Sequence, residues 1–420
     1  MKTKAIKPAK NINAEVAIPG SKSFMNRALI CAALAPGTTR LQQASFCEDT
    51  AYMMEALRQF GVGIERDGTD ALVSGTGGAL SAPGEDVYVG AAGTTLRFLT
   101  TLAALAKGKT TLTGNKRMQE RPIADLLMGL SQLGVKAKPL KGNGCPPVVV
   151  EGKGLRGGKI RIHGEKSSQY LTSLLLCAPY AAGEITIEIE GELTSKPYVT
   201  MTLSVMSEFG VQAVNYSYRR FVVRPGRYEA RNYLIEADAS GSSYFLAAAA
   251  VTGGTVRVMG LRPDSLQGDV GFSELLLRMG CRVTNGTEFI EVTGGNLKGI
   301  AADMNSMPDA VMTLAVVACF ATGQTAITGI GNLKIKETDR IAATAAELRK
   351  LGAAVVTTGD SMTITPPASV SGARIATYDD HRMAMAFAVA GLAAKGMVIE
   401  NPDVVGKSFP EYWELLEKLR

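Results

Sequence analysis

The sequence predicts an α/β protein of two domains, each built from three copies of one strand-and-helix unit. Three observations carry this reading. The chain has 420 residues, more than one hydrophobic core ordinarily serves, so two domains are expected. An apolar-Gly-apolar signature ends a helical pattern five times, at Gly61, Gly134, Gly210, Gly280 and Gly352, at separations of 73, 76, 70 and 72 residues. On the same beat, small or hydroxylated residues open an apolar helix six times, near residues 21, 92, 166, 239, 308 and 379. Each glycine fits the residue just past a helix end, in the left-handed region. The apolar helices lack a polar face and must be buried on all sides. Six repeats fill the chain, and three make about 210 residues, a domain-sized group. A solenoid is the structural alternative, but seventy residues exceeds the usual solenoid repeat.

Composition narrows the function. With 46% hydrophobic and 20% charged residues the chain reads as a well-buried globular protein. The net charge of +6 admits anionic partners. No Lys/Arg block and no aromatic-interleaved basic stripe accompanies it, so neither DNA nor RNA is expected as a partner. No apolar run reaches about 18 residues, and the basic opening "MKTKAIKPAK" leads into no apolar signal segment, so no membrane is spanned and a cytoplasmic location is expected. The six cysteines are scattered without a C-x-x-C pair and mostly lie in apolar runs, which predicts buried reduced thiols rather than disulfides or zinc.

Taken in order, the repeats show where chemistry gathers. In "AIPGSKSFMNRALICAALA" (17–35) a strand end and a Pro19-Gly20 turn lead into an apolar helix with Lys22 and Arg27 at its start. The second repeat has "GAAGTTLRFLTTLAALA" with Arg97, then "RMQERPIADLL" with Arg121. The third has "EKSSQYLTSLLLCA" with Ser167, Ser168 and Gln169, then "TSKPYVTMTL" with Lys196. "ADASGSSYFLAAAAV" opens the fourth and reads as ordinary capping. The fifth supplies Asp309 in "MPDAVMTLAVVACFA" and Lys336, Glu337, Asp339 and Arg340 in "NLKIKETDRIAATAAEL". The sixth has Asp380, His381 and Arg382 in "YDDHRMAMAFAVAGL", then Lys407 in "GKSFPEYW".

Nine cations thus stand near helix starts, where the backbone dipole and free N–H groups already favour anions. Placing Lys and Arg there makes sense if several anionic groups bind in one cleft. "GSKS" only brushes the P-loop pattern, whose earlier glycine is missing, so Walker-type nucleotide binding has no support. Asp309 is either an N-cap or a base facing the cleft. Glu337 is either a dipole-complementing carboxylate or one tuned for acid–base work among cations. His381, between an Asp and an Arg, is an orienting hydrogen-bonder or a proton carrier; His163 has no such company and reads as structural.

The stretches "PGSKSFMNRAL", "GAAGTTLRFL", "RMQERPI", "SSQYLTSLL", "TSKPYV", "PDAVMTLA", "KETDR", "YDDHRMAMA" and "KSFPEY" resemble, collinearly from about residue 17 to 415, the 5-enolpyruvylshikimate-3-phosphate synthase branch of the enolpyruvyl transferases. The resemblance implies the two-domain inside-out α/β barrel of that family, with three βαβαββ repeats per domain and helices buried among the sheets. It places chain crossings near 18–21 and 237–241, giving an upper domain of 1–18 with 240–420 and a lower domain of 21–237. It implies transfer of the enolpyruvyl group of phosphoenolpyruvate to the 5-hydroxyl of shikimate 3-phosphate, with release of phosphate through a tetrahedral intermediate, on the route to chorismate and the aromatic amino acids. No metal or organic cofactor is implied, and a monomer is expected.

Carried over by motif, Ser23, Arg27, Ser167, Ser168, Gln169, Ser195, Tyr198, Asp309, Asn332 and Lys336 would contact shikimate 3-phosphate. Lys22, Gly93, Arg121, Gln169, Arg340, Arg382 and Lys407 would contact phosphoenolpyruvate, with Thr94, Arg97 and His381 as further candidates. Asp309, Glu337 and Lys22 would divide the proton transfers. With cations on both halves, the two domains are expected to close on ligand. Two departures stand out: Ala91 where the family often has Asn, and Phe98 where it often has Pro. Losing the amide at position 91, near the expected phosphoenolpyruvate pocket, should weaken or reshape that site, while Gly93, where the family's inhibitor glyphosate acts, is retained. The sister branch acting on UDP-N-acetylglucosamine carries Lys-Asn at the first turn and commonly a Cys in the loop aligned with "NKRMQERPI"; here Ser23 follows Lys22 and that loop has no Cys. A non-catalytic basic clamp on nucleic acid would leave Asp309 and Glu337 among cations unexplained.

Overall fold

A helix with no polar face needs protein around its whole circumference, and the architecture meets that demand six times. The computed structural model describes residues 2–10 and 12–420. It divides into a continuous unit, Gly20–Glu236, and a split unit that joins the chain up to Pro19 with Ala237–Arg420. The continuous unit holds α1 (Lys22–Leu34), α2 (Glu48–Gln59), α3 (Gly93–Leu105), α4 (Ala124–Gln132), α5 (Ser168–Cys177) and α6 (Lys196–Glu208). The split unit holds α7 (Ala239–Thr252), α8 (Phe272–Arg278), α9 (Val311–Ala318), α10 (Arg340–Lys350), α11 (His381–Ala393) and α12 (Tyr412–Glu417).

The odd-numbered helices are the apolar ones. Helix α1 is buried from Phe24 to Leu34, α9 along its whole length and α11 from His381 to Leu392. They pack on one another, α3 against α5 in one unit and α11 against α7 and α9 in the other. Helix α2 shows the other type: Met53, Met54, Ala56 and Leu57 are buried while Glu55 and Arg58 face water. The five signature glycines follow α2, α4, α6, α8 and α10, all with φ between 81° and 106°. Only glycine enters that region without a Cβ penalty, so each turns its chain from helix to strand.

Among the described residues there are six sheets, five of four strands and one of three. In the second repeat the spatial order is Val87–Tyr88, Gly108–Thr113, Val148–Gly152, Lys136–Pro139, the first pair parallel and the others antiparallel. With α3 and α4 inserted, this is the βαβαββ unit. Distant strands complete three of the other sheets. Asn232–Leu234 runs parallel to Pro36–Gln42, with Tyr233 opposite Leu41. Asn13–Ala17 runs parallel to Thr255–Met259, with Val16 opposite Val258. Thr3–Ala5 runs antiparallel to Val398–Glu400.

Where the chain passes from one unit to the other, both crossings are hydrogen-bonded. The Ser21 amide donates to the Glu236 carbonyl (2.7 Å), and the Asp238 amide to the Pro19 carbonyl (3.0 Å). Gly20 is there for space: a Cβ on it would lie 2.0 Å from the Gln43 carbonyl oxygen. The six cysteines are unbridged; five are buried and Cys145 is half-buried. No helix among the described residues is long and apolar enough to cross a membrane.

Candidate active site

In the split unit the starts of α9, α10 and α11 bring charged side chains together. Pro308 begins a 3-10 turn, Pro308–Ala310, so Asp309 sits in that turn and the N-cap position of α9 falls to Ala310. Its carboxylate is turned instead to two guanidiniums, accepting from Arg340 Nη1 (2.8 Å) and Arg382 Nη2 (2.7 Å). Capping of α10 is done by Asp339, which accepts from the Ala342 amide (3.1 Å) and leaves Arg340 at the first helical position. Arg340 is 1% exposed. It donates through Nε to Asp380 (2.7 Å) and through Nη2 to Glu337 (2.9 Å). Asp380 also caps α11, accepting from the Arg382 amide (2.9 Å). Glu337 continues to Lys407 Nζ, 3.5 Å away.

Three cations and three carboxylates are therefore interleaved: Arg340, Arg382 and Lys407 with Asp309, Glu337 and Asp380. Removing one member of such a buried set costs about 3–5 kcal/mol, because its partner keeps an uncompensated charge. Burial opposes the charge on Arg340, but Asp380, Glu337 and Asp309 outweigh it and hold the guanidinium above its ordinary range. Arg382 Nη1 also donates to the Tyr244 hydroxyl (3.1 Å), whose pKa is pushed up to about 12, chiefly by burial. Beside this set, Asp269 accepts a hydrogen bond from Ser240. Burial first, then the Asp309 charge, push its carboxyl up to about 7. His381 opens α11 with Nδ1 3.4 Å from Asp380 Oδ1. Asn332 lies in the 3-10 turn Gly331–Ile335, and Lys336 ends that turn one residue before Glu337.

The continuous unit gathers the other candidates. Ser21 caps α1, so Lys22 is its first residue. Lys22 Nζ reaches Asp49 Oδ2 at 3.0 Å, and the Asp49 carbonyl accepts from Thr95 Oγ1 (3.2 Å). Arg27 is buried one turn on. It donates to Thr202 Oγ1 (2.9 Å), the Ser23 carbonyl (2.7 Å) and the Tyr198 carbonyl (2.9 Å). The rings of Phe98 and Tyr198 flank it, with centroids 5.7 and 5.9 Å from the guanidinium carbon. Burial pushes the Arg27 pKa down to about 10, which still leaves it charged at neutral pH.

Gly93 opens α3 between two arginines. Its carbonyl accepts from Arg97 Nη1 (3.0 Å), and the Ala91 carbonyl accepts from Arg121 Nη1 (3.4 Å). Ser167 caps α5 ahead of Ser168, and Gln169 Nε2 donates to Thr94 Oγ1 (3.2 Å). Ser195, at φ 55°, is the left-handed residue that opens α6 ahead of Lys196.

A model of the family described as EPSP synthase (3-phosphoshikimate 1-carboxyvinyltransferase) matches residues 6–416. The chain belongs to the EPSP synthase family. Relatives named 3-phosphoshikimate 1-carboxyvinyltransferase include one from Sulfurovum sp., 45% identical over 100% of this chain and 99% of its own. Another, from Shewanella denitrificans, is 46% identical over the same shares. Among solved structures, an EPSP synthase from Acinetobacter baumannii superposes with a TM-score of 0.84 at 27% identity, over 100% of this chain and 98% of that one. The inside-out barrel expected from the sequence is therefore the fold of this EPSP synthase family member.

Several partners in these clusters escaped sequence reading. Asp49 lies in the first turn of α2, and only the folded chain sets it against Lys22. Thr202 reaches Arg27 from a helix 175 residues away in sequence. Asp269, in "SLQGDVGF", belongs to no periodic pattern, and nothing in the sequence links it to Ser240. Glu347, inside "AAELRK", carries no sequence signal of its own and is fully buried. The Asp380 half of the Arg340 grip was the most legible, since Asp380 visibly heads α11. Among the described residues, no group of three His, Cys, Asp or Glu side chains is placed to hold a metal ion.

Proposed function

We propose that Asp309, Glu337 and Lys22 carry the chemistry of this family. As a member, the chain transfers the enolpyruvyl group of phosphoenolpyruvate to shikimate 3-phosphate, a step of aromatic amino acid biosynthesis. Asp309 takes the proton of the 5-hydroxyl as its oxygen attacks C2 of phosphoenolpyruvate, while Glu337 delivers a proton to the methylene carbon. The tetrahedral intermediate so formed keeps the phosphate on C2. Its breakdown cleaves that C–O bond, returns a methyl proton to Glu337, and leaves the hydroxyl's proton on the departing phosphate, toward which Lys22 acts as acid and counter-charge.

Arg340, Arg382 and Lys407, with Arg121 and Lys22, are proposed to hold the carboxylate and phosphate of phosphoenolpyruvate, Gly93 and Gln169 lining its place. Arg27 and Lys336, with Ser23, Ser167, Ser168, Ser195, Tyr198 and Asn332, are proposed to hold shikimate 3-phosphate. One observation carries the reading most directly: the N-cap position of α9 falls to Ala310, and the Asp309 carboxylate is held by two guanidiniums. A carboxylate held in that way is oriented for chemistry rather than for capping. A monomer of 44.2 kDa in the cytoplasm is proposed; light scattering would test the first and cell fractionation the second.

The deciding experiment follows phosphate release from phosphoenolpyruvate with shikimate 3-phosphate, and with UDP-N-acetylglucosamine as control acceptor. Activity is expected only with the first; activity only with the second would overturn the acceptor assignment. Asp309→Ala is expected to lower kcat by about 10²–10⁴-fold while both substrates still bind. Turnover at the wild-type rate would remove Asp309 from the mechanism.

A further inference from the structure

The segment leading to Asp380 holds an aromatic residue in a backbone region that it does not favour. Tyr378 and Asp379 lie in the left-handed region, at φ 53° and 54°. The Asp380 amide closes the turn on the Thr377 carbonyl at 2.8 Å. A turn with positive φ at both central residues ordinarily takes Gly, Asn or Asp. Here the first central position is the aromatic Tyr378, and such strain persists only where the surroundings over-determine it.

The surroundings are specific. Glu347, on α10 and fully buried, accepts the Tyr378 hydroxyl hydrogen at Oε1 (2.7 Å). Its Oε2 accepts from the Ala376 amide (3.1 Å) and from Lys350 Nζ (2.7 Å). Burial, and then the bond to Glu347, push the Tyr378 pKa up to about 12, so the hydroxyl keeps its proton as donor. From the other side Asn401 Nδ2 donates to Asp379 Oδ1 (2.8 Å). Directly after the turn, Asp380 takes Arg340 Nε and the Arg382 amide. One helix therefore grips residues 376–380 at both ends: Glu347 before and within the turn, Arg340 after it. The proton transfers make no use of Glu347, so its burial is unexplained by the chemistry alone.

We propose that Glu347 is a positioning residue for the transfer reaction, holding the turn at 377–380 through Tyr378 and the Ala376 amide and thereby setting Asp380 against Arg340 and Arg382. The proposal rests on the assignment of those two arginines to phosphoenolpyruvate. If the turn loosens, Asp380 orients Arg340 less well, and phosphoenolpyruvate binding suffers while shikimate 3-phosphate binding does not.

Steady-state kinetics on the full chain test this. Tyr378→Phe removes one hydroxyl from a side chain that is 42% exposed, so folding is retained. Tyr378→Phe and Glu347→Gln are each expected to raise KM for phosphoenolpyruvate about fivefold, with KM for shikimate 3-phosphate unchanged within twofold. Tyr378→Gly removes the hydroxyl and the left-handed strain together while keeping the Asn401 bond to Asp379, and is expected to recover at least half of the affinity lost in Tyr378→Phe. A purely structural role would lower Tm in Tyr378→Phe and Glu347→Gln without moving that KM, and would show no recovery with glycine; either result overturns the proposal. Arg382→Lys separates the two claims. If it leaves KM for phosphoenolpyruvate unmoved, the arginine assignment fails and the proposal with it. If it raises KM while Glu347→Gln and Tyr378→Phe do not, only the positioning role of Glu347 is lost.

Discussion

Arg340 donates to three carboxylates while almost fully enclosed, and Gly93 is pressed between two further arginines. A Cβ at Gly93 would lie 2.6 Å from Arg97 Nη1 and 2.7 Å from both terminal nitrogens of Arg121. Gly93→Ala must therefore push a guanidinium aside. Because small misplacements of positioning groups cost up to about a hundredfold, KM for phosphoenolpyruvate is expected to rise at least tenfold; an unchanged KM would detach Arg121 from that ligand. Asp269 gives a prediction in pH. Its carboxyl holds its proton up to about 7 in the fold, against an ordinary 3.8. A raised folded value means that the native state binds the proton more tightly, so the stabilisation is complete below the ordinary value and is lost as pH climbs toward the raised one. The groups acting on it are Asp309, Arg382, Ser240 and Asp238. The stability of the wild-type chain relative to Asp269→Asn should fall between about pH 4 and pH 7, read from melts at matched ionic strength. A difference that stays constant across that window would refute the shift.

At the scale of elements, the helices were the most legible part of the sequence, because an apolar circumference and a glycine stop are local signals. All five signature glycines occupy positive φ past a helix end, as their spacing implied. The turn into α1 is less local. Gly20 is required by contacts with Gln43 and Ile235, which arrive from elsewhere in the chain; a Cβ there would be 2.0 Å from one backbone oxygen and 2.9 Å from the Ile235 side chain. Gly20→Ala is expected to destabilise by about 1–3 kcal/mol, a fall in Tm of roughly 2–10 °C; a calorimetric Tm equal to wild type would show that the turn relaxes freely. Strand partners were not legible. Asn232–Leu234 completes a sheet begun at Pro36, and no periodicity announces a pairing across nearly 200 residues.

For the molecule as a whole, the continuous unit begins and ends at neighbouring points, joined by the bond from the Ser21 amide to the Glu236 carbonyl, and it has its own buried core. Residues 20–236 expressed alone are expected to unfold in a single cooperative transition; a broad, non-cooperative melt would show that the unit depends on the rest of the chain. What the sequence determined by itself was the repeat, the buried helices, the cationic helix starts and, through nine collinear motifs, the family. Those features are carried by residue type and spacing along the chain. What only the tertiary structure decided was partnership. Asp309 is held by Arg340 and Arg382, Asp49 meets Lys22, and Glu347 braces the turn before Asp380. Hydrogen bonds and ion pairs act over about 3 Å of space, and the chain distance between two partners says nothing about that separation until the sheets have closed.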